Sequence, residues 1–538
     1  MTAIVTTPFR VVNAENFKED IAGSSVYVGI GKTDVWSTAT SDLTDASTPF
    51  TPQDRLDDLH EAYQNMIGMK KIASSDISHI VPRHTWATGT SYIAWDSDDS
   101  AIYDKAFYII TSEFKVYKCI VAGASGSIVE PTHINTDPTA ESDGYFWKYL
   151  YTLTVTDSEK FLTISYMPVP TQQMPTTSVG STSGSSTTVT LTAANEYIKV
   201  GMLVTGSGIT AGDTVTAIDG VTLTISSART VPSTTTLTFG RLADTDINYA
   251  NQTAQMNSLA SSTAAGIERI EVTAGGSNYD DADVFTVTIT GDGTGATVVD
   301  AGVTISSGAI TAIAVNAKGT DYTVADITIT HNNASTGTAG SGATARAVIA
   351  PPDGHGVDPI KELGAFYVAV NSQLSGSEGG DLTVGNDFRQ ISLIKKPQNF
   401  GTTVTSTAST MRARKSLVLA TGGSVSGFAV DQVITGSSSG AKAYLVEIDT
   451  TNKVLYYYQN SKTGYKPFVQ GDTITGTLPS GGSSLLNVTS GTTWYGQATN
   501  GYGPEVRMNS GQLLFLENRA PINRSSSQIE DIKLIIEF

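Results

Sequence analysis

The chain has 538 residues, of which 16% are charged, with 51 glycines, one cysteine and a formal net charge of −18. That length exceeds what one hydrophobic core organises, so several domains are expected, and the acidic balance with no basic, aromatic-interleaved run argues against nucleic-acid binding. A lone cysteine excludes an intramolecular disulfide framework, and the lack of a basic-then-apolar leader or of about 18 consecutive apolar residues predicts neither Sec export nor a membrane span.

Residues 1–172 hold four of the five tryptophans, Trp36, Trp86, Trp95 and Trp147, and a normal mixture of charges, which marks a core-forming region. Within it "VYVGIGKTDVW", Val26–Trp36, contains Gly-Ile-Gly-Lys-Thr. A phosphate-cradling loop requires a glycine five residues before the Gly-Lys-Thr, because the intervening backbone must wrap the phosphates. Val26 stands there, inside an apolar run, so a strand ending in a glycine-permitted turn is predicted, without nucleotide binding. Thr51, Pro52 and the spacing of Leu56, Leu59, Tyr63, Met66 and Ile67 predict a helix that weakens at Gly68. "AFYIITSEFKVYKCIVAG" and "YFWKYLYTLTV" read as strands, and Cys119 among their apolar residues reads as a buried thiol. His79 and His84 are close, but Pro82 breaks any helical spacing and no third ligand is near, so zinc is not predicted. Asp96–Ser100, "DSDDS", lacks the glycine and closing glutamate of a calcium loop and reads as a solvated turn.

From about Pro175 to Gly240, short alternating runs punctuated by glycine read as a small β module with tight hairpins. An internal repeat follows: "IERIEVTAGGSNY" from Ile267 is echoed by "ITAIAVNAKGTDY" from Ile310, matching at Ile267/Ile310, Ile270/Ile313, Val272/Val315, Gly276/Gly319 and Tyr279/Tyr322. "GTGAT" at Gly293 returns as "GSGAT" at Gly340. Neither copy could bury its apolar face alone, so the two are expected to pack together. A third polar β segment runs from roughly Thr402 to Ser490. Its Gly-x-Ser-x-Gly string, Gly436–Gly440, has strand-like sequence on both sides, whereas a nucleophile elbow needs a helix after it. The chain therefore reads as a mainly β protein, an antiparallel β-sandwich-like core with few short helices, interrupted by small inserted β modules. The boundaries are 1–172, 351–401 and 493–538 for the core, and 173–262, 263–350 and 402–492 for the insertions. Each insertion is expected to be locally closed, with few contacts crossing into the core. No catalytic, cofactor-binding or metal-binding residue is nominated.

Several core segments together resemble a known family. "VYVGIGKTDVW", "HIVPRHTW", "DGYFWKYLYTL", "DFRQISLI", "GQLLFLENRAPI" and the terminal "QIEDIKLIIEF" resemble, in the same order, the baseplate wedge subunit of T-even-type contractile-tailed phages, the product of gene eight. The resemblance implies a structural protein of the virion tail baseplate, made and assembled in the host cytoplasm. It further implies a homodimer that joins neighbouring wedge proteins, with no enzymatic activity and no cofactor. Membrane or nucleic-acid partners are not implied. The alternative is a host-surface adhesin or carbohydrate-binding tail protein, which the lack of tryptophan between Thr171 and Gly491 disfavours; a polysaccharide-degrading solenoid would need more than two repeats.

Overall fold

The computed structural model describes residues 4–37, 49–135, 137–169, 176–195, 198, 200–240, 266–332, 338–351, 354–356, 358–419, 423–477, 494–495 and 503–538. The expected module junction at 170–175, Pro352 of the expected junction at Pro351–Pro352, the linker 241–262 and the end of the third module beyond 477, its Trp494–Tyr495 strand aside, lie outside them. Strand makes up 45% and helix 11%, so the chain is mainly β, as its composition predicts. It forms two compact units, one of Met1–Glu15, Ser78–Val368 and Glu537–Phe538, the other of Asn16–Ile77 and Ala369–Ile536.

The second unit is built on a five-stranded antiparallel sheet ordered Thr410–Arg412, Met66–Lys71, Val26–Gly31, Asp387–Lys395, Gln512–Asn523. Three segments that are remote in sequence, "VYVGIG", "DFRQISLIK" and "QLLFLENRAPIN", thus become consecutive neighbours, with Val28 opposite Leu393 and Leu393 opposite Phe515. All six residues of Val26–Gly31 are buried, which explains a continuous apolar run in place of an alternating one. Tyr27, Tyr63, Met66, Met69, Ile394 and Met411 form the core beside it. A six-stranded sheet in the same unit, whose strands include Lys415–Val418, Val433–Gly436, Lys442–Asp449, Val454–Tyr458 and Ile474–Thr477, encloses its own core around Leu417, Ile434, Leu455 and Tyr457. Thr410–Arg412 belongs to the core sheet, so the third module's own strands begin at Lys415.

In the first unit, Tyr108–Ile110, Lys115–Val121, Phe146–Thr152 and Thr139–Ala140 form one antiparallel sheet with an aromatic core of Tyr92, Tyr117, Tyr145, Trp147 and Tyr149. A six-stranded sheet spans Thr176–Gly240 around Val189, Leu223, Leu237 and Phe239. The two repeats do pack together, strand against strand. Ile267–Ser277 pairs with Ser341–Ile349, Val284–Gly291 with Ala325–Asn332, and Thr294–Thr297 with Ala317–Thr320. The equivalent residues Ile270 and Ile313 face each other in register.

The repeat's matched glycines and tyrosines have one physical cause. Tyr279 lies against Gly276 of its own copy and Gly340 of the other, while Tyr322 lies against Gly319 and Gly293 in the mirrored arrangement. A Cβ at any of these four glycines would collide with a tyrosine ring or with backbone. Each tyrosine hydroxyl then accepts a backbone N–H from the opposite copy, Ala343 at 3.3 Å and Ala296 at 3.4 Å.

Two helices depart from expectation. The predicted helix begins at Leu56, after an extended Arg55 with no side-chain cap, and stops at Asn65. Met66 and Ile67 belong to the next strand, because the strands on either side of Met66–Lys71 supply hydrogen bonds that outweigh helical periodicity. Thr7–Gly23 is also helical, which was not anticipated. Its adjacent β-branched Val11 and Val12 lower helix propensity, but Val11, Ala14 and Ile21 fall on one buried stripe.

Candidate functional site

The strand Val26–Gly31 ends in a turn made by Lys32, whose φ of 59° puts a non-glycine residue in the left-handed region. The sequence suggested that glycine would make this turn; instead both glycines serve close packing. Gly31 pairs with Gln390, and a Cβ there would lie 2.6 Å from the Asn65 carbonyl, while one at Gly29 would lie 2.6 Å from Ser392 Oγ. The Lys32 side chain points at no nest of N–H groups. Its ammonium donates to Asp34 Oδ1 at 3.2 Å and Oδ2 at 3.1 Å, and lies over the Trp36 ring at 4.9 Å.

Asp34 is the hub of this buried network. Besides Lys32 it receives Lys462 Nζ at 2.8 Å, the Tyr458 hydroxyl at 2.6 Å and Asn460 Nδ2 at 3.3 Å. The Asp34 N–H in turn donates to Tyr458 Oη at 2.9 Å. Burial alone would raise the Asp34 carboxyl, but Lys32, Lys462 and the Tyr458 bond hold it below its usual value. Burial wins at Lys32, whose ammonium shares its one carboxylate with a second cation, and its pKa is lowered. Burial also drives the Tyr458 hydroxyl well up, so it stays a neutral donor.

Of this network Lys32 and Lys462 reach the wall of a cleft of about 690 Å³, which is lined also by Trp36, Phe50, Arg55, Asp58, Glu61, Asn65, Gln390 and Asn518. Asn65 Nδ2 donates to Gln390 Oε1 at 3.4 Å, Gln390 Nε2 to Asn518 Oδ1 at 2.9 Å, and Asn518 Nδ2 to the Phe50 carbonyl at 2.8 Å. Sequence reasoning weighed Lys32 only as part of a phosphate cradle, which it rejected, and missed Asp34, Tyr458 and Lys462. No spacing signal exists for a contact between residues 424 positions apart.

A second buried charge network lies in the first unit. Lys118 Nζ donates to Glu362 Oε2 at 2.8 Å and sits 3.9 Å over the Trp95 ring, and the Gly356 N–H donates to Glu362 Oε1 at 2.6 Å. Lys318, in the repeat module, donates to Glu268 at 2.8 Å. His355 stands between the carboxylates, 3.6 Å from Glu268 and 3.8 Å from Glu362, too far for hydrogen bonds but close enough to act electrostatically. Burial opposes ionisation of both acids, yet Lys118, Lys318 and His355 hold them at about 2.

The remaining singled-out residues have structural employment. His79 Nδ1 lies 3.2 Å from the Ala365 carbonyl and His84 packs edge-on against Tyr108. Cys119 is buried, which pushes its thiol up to about 12. Asp96 binds Arg346 and Asp99 binds Lys105, so only Asp98 of that group remains largely solvated. Gly436–Gly440 links two strands, and Asp472 accepts hydrogen bonds from the Ser438 and Ser439 N–H groups at 2.8 and 2.9 Å and from Ser439 Oγ at 2.6 Å.

Compared with known proteins, residues 3–122 match the family described as Bacteriophage T4, Gp8. No curated protein matches the chain.

Proposed function

We propose, from the match of residues 3–122 to the Gp8 family, that the chain is a structural component of the phage baseplate wedge that links neighbouring wedge proteins and self-associates as a dimer during assembly in the host cytoplasm. The observation that carries this reading is the five-stranded sheet. Its Val26–Gly31 strand lies within the matched segment, and its neighbours Asp387–Lys395 and Gln512–Asn523 come from the remote segments that share the resemblance. One core is thereby assembled from the start, middle and end of the chain. The buried charges support a non-catalytic role, because Lys32, Asp34, Lys118 and Glu362 are each engaged in ion pairs. Antibody labelling of intact virions should mark the baseplate, and sedimentation should give a dimer, alone or with a wedge partner added. Labelling confined to the capsid or the fibre tips would overturn the proposal.

A further inference from the structure

The cleft beside Lys32 sorts its charges by depth. The side chains of Lys32 and Lys462 are 8% and 11% exposed, and that of Arg55 is 71% exposed. Two ammonium groups carry six N–H bonds. Among the described residues these meet the two oxygens of Asp34 and the Val35 carbonyl, which Lys462 reaches at 2.6 Å. Asp34 is already shared with Tyr458 and Asn460, so the two ammonium groups carry more donors than these acceptors fill. The amides on the wall satisfy one another and do not supply the missing acceptor. Of the acids that line the cleft, Asp58 pairs with Arg55, while Glu61 accepts, among the described residues, only from Ser461 and Tyr465 and keeps its charge near Lys32.

We propose that this cleft binds one carboxylate, the acidic side chain of a partner protein, with Lys32 and Lys462 donating to it and Trp36 and Phe50 flanking its aliphatic stem. A desolvated carboxylate between two ammonium groups forms charge-assisted hydrogen bonds, stronger than neutral ones. A single negative charge fits better than a dianion such as phosphate, because Glu61 also lines the cleft and its repulsion grows with the charge of the ligand. That the carboxylate belongs to a partner rests on the assembly reading above; the chemistry of the cleft does not.

The test is calorimetric titration of the full chain at low salt with N-acetyl-glutamate amide, with N-acetyl-glutamine amide as the neutral isostere and inorganic phosphate as the dianion. The glutamate probe should saturate the protein, with the glutamine probe and phosphate each weaker by roughly tenfold or more. Lys462→Met should weaken the glutamate probe by about the same factor and leave the glutamine probe unchanged. Equal affinity for the two amides, tighter binding of phosphate, or no saturation by the glutamate probe overturns the proposal on the unmodified protein, whatever the variant does to folding. A folded Lys462→Met protein that binds as before overturns it too. Virion labelling tests the wedge reading separately, so failure of one leaves the other standing.

Discussion

At the scale of single residues, buried charges decide more of this molecule than its sequence suggests. Asp34 holds two buried ammonium groups together, and replacing it by asparagine leaves both without a counter-charge. Asp34→Asn should cost about 3–5 kcal/mol, the range for breaking a buried pair from one side, measured as a lower denaturant midpoint at pH 7. Lys462→Met should cost less, because Asp34 keeps Lys32, Tyr458 and Asn460. Glu268 and Glu362 give a pH dependence with a definite sign. Their folded pKa of about 2 lies below the ordinary 4.5, so the folded state binds fewer protons than the unfolded state within that window. Their stabilisation, on the order of a few kcal/mol, is complete above pH 4.5 and lost as pH falls toward 2. A thermal-midpoint series from pH 6 to 2 should fall steeply across that window and less steeply in a Lys118→Met, Glu362→Met double variant. Parallel curves for the two proteins would count against it.

At the scale of elements, what was legible depended on whether the signal was local. The repeat was legible because Gly276/Gly319, Gly293/Gly340 and Tyr279/Tyr322 each answer one geometric demand, a ring laid on two glycines. Gly340→Ala and Gly293→Ala should therefore destabilise by similar amounts, about 1–3 kcal/mol for overpacking, whereas Tyr279→Phe should cost about 1 kcal/mol for one hydrogen bond. Unequal effects at the two glycines, read by chemical denaturation, would break the equivalence of the copies. The boundary of helix Leu56–Asn65 was not legible, because Met66 and Ile67 satisfy helical and strand patterns alike until the partner strands are known. The last strand falls between. Ile529–Glu537 pairs with Tyr367–Ser375, and of the alternating apolar residues in "DIKLIIEF" Ile532 and Leu534 are buried while Ile536 and Phe538 are half-buried. Burying the first two contributes about 3–6 kcal/mol, so removal of residues 531–538 should leave the protein insoluble. A soluble truncation with an unchanged melting temperature would refute that.

At the scale of the whole molecule, the segments that composition reads as insertions differ in how far they can be separated from the rest. Composition treats them alike, as polar, glycine-rich β segments, and the Lys32 cleft was illegible because half of its hub comes from one of them. The repeat module leaves and re-enters at one place: Ile267 lies opposite Ile349 and the Ala350 N–H donates to the Gly266 carbonyl at 2.9 Å. A short Gly/Ser linker can therefore close the gap left by residues 264–350 without strain. Its removal takes away Arg269, whose guanidinium reaches the Trp95 carbonyl, the Arg346 pair with Asp96, and Glu268 beside His355. Lys118 keeps Glu362, however, and the carboxylate that loses its partner, Asp96, still reaches solvent. That deletion should give a soluble protein with a melting temperature lowered by a few degrees. Replacing 402–492 is a different operation. It removes Thr410–Arg412 from the edge of the core sheet, and it strips Tyr458, Asn460 and Lys462 from Asp34. An unpaired sheet edge and a half-dismantled buried charge network each promote misfolding and aggregation. The 402–492 replacement should therefore be insoluble under conditions where the 264–350 replacement is not, as judged by soluble yield and circular dichroism of the two proteins side by side. If the 402–492 replacement is soluble and melts cooperatively, the Asp34 hub does not hold the core, and the third module is an independent ornament after all.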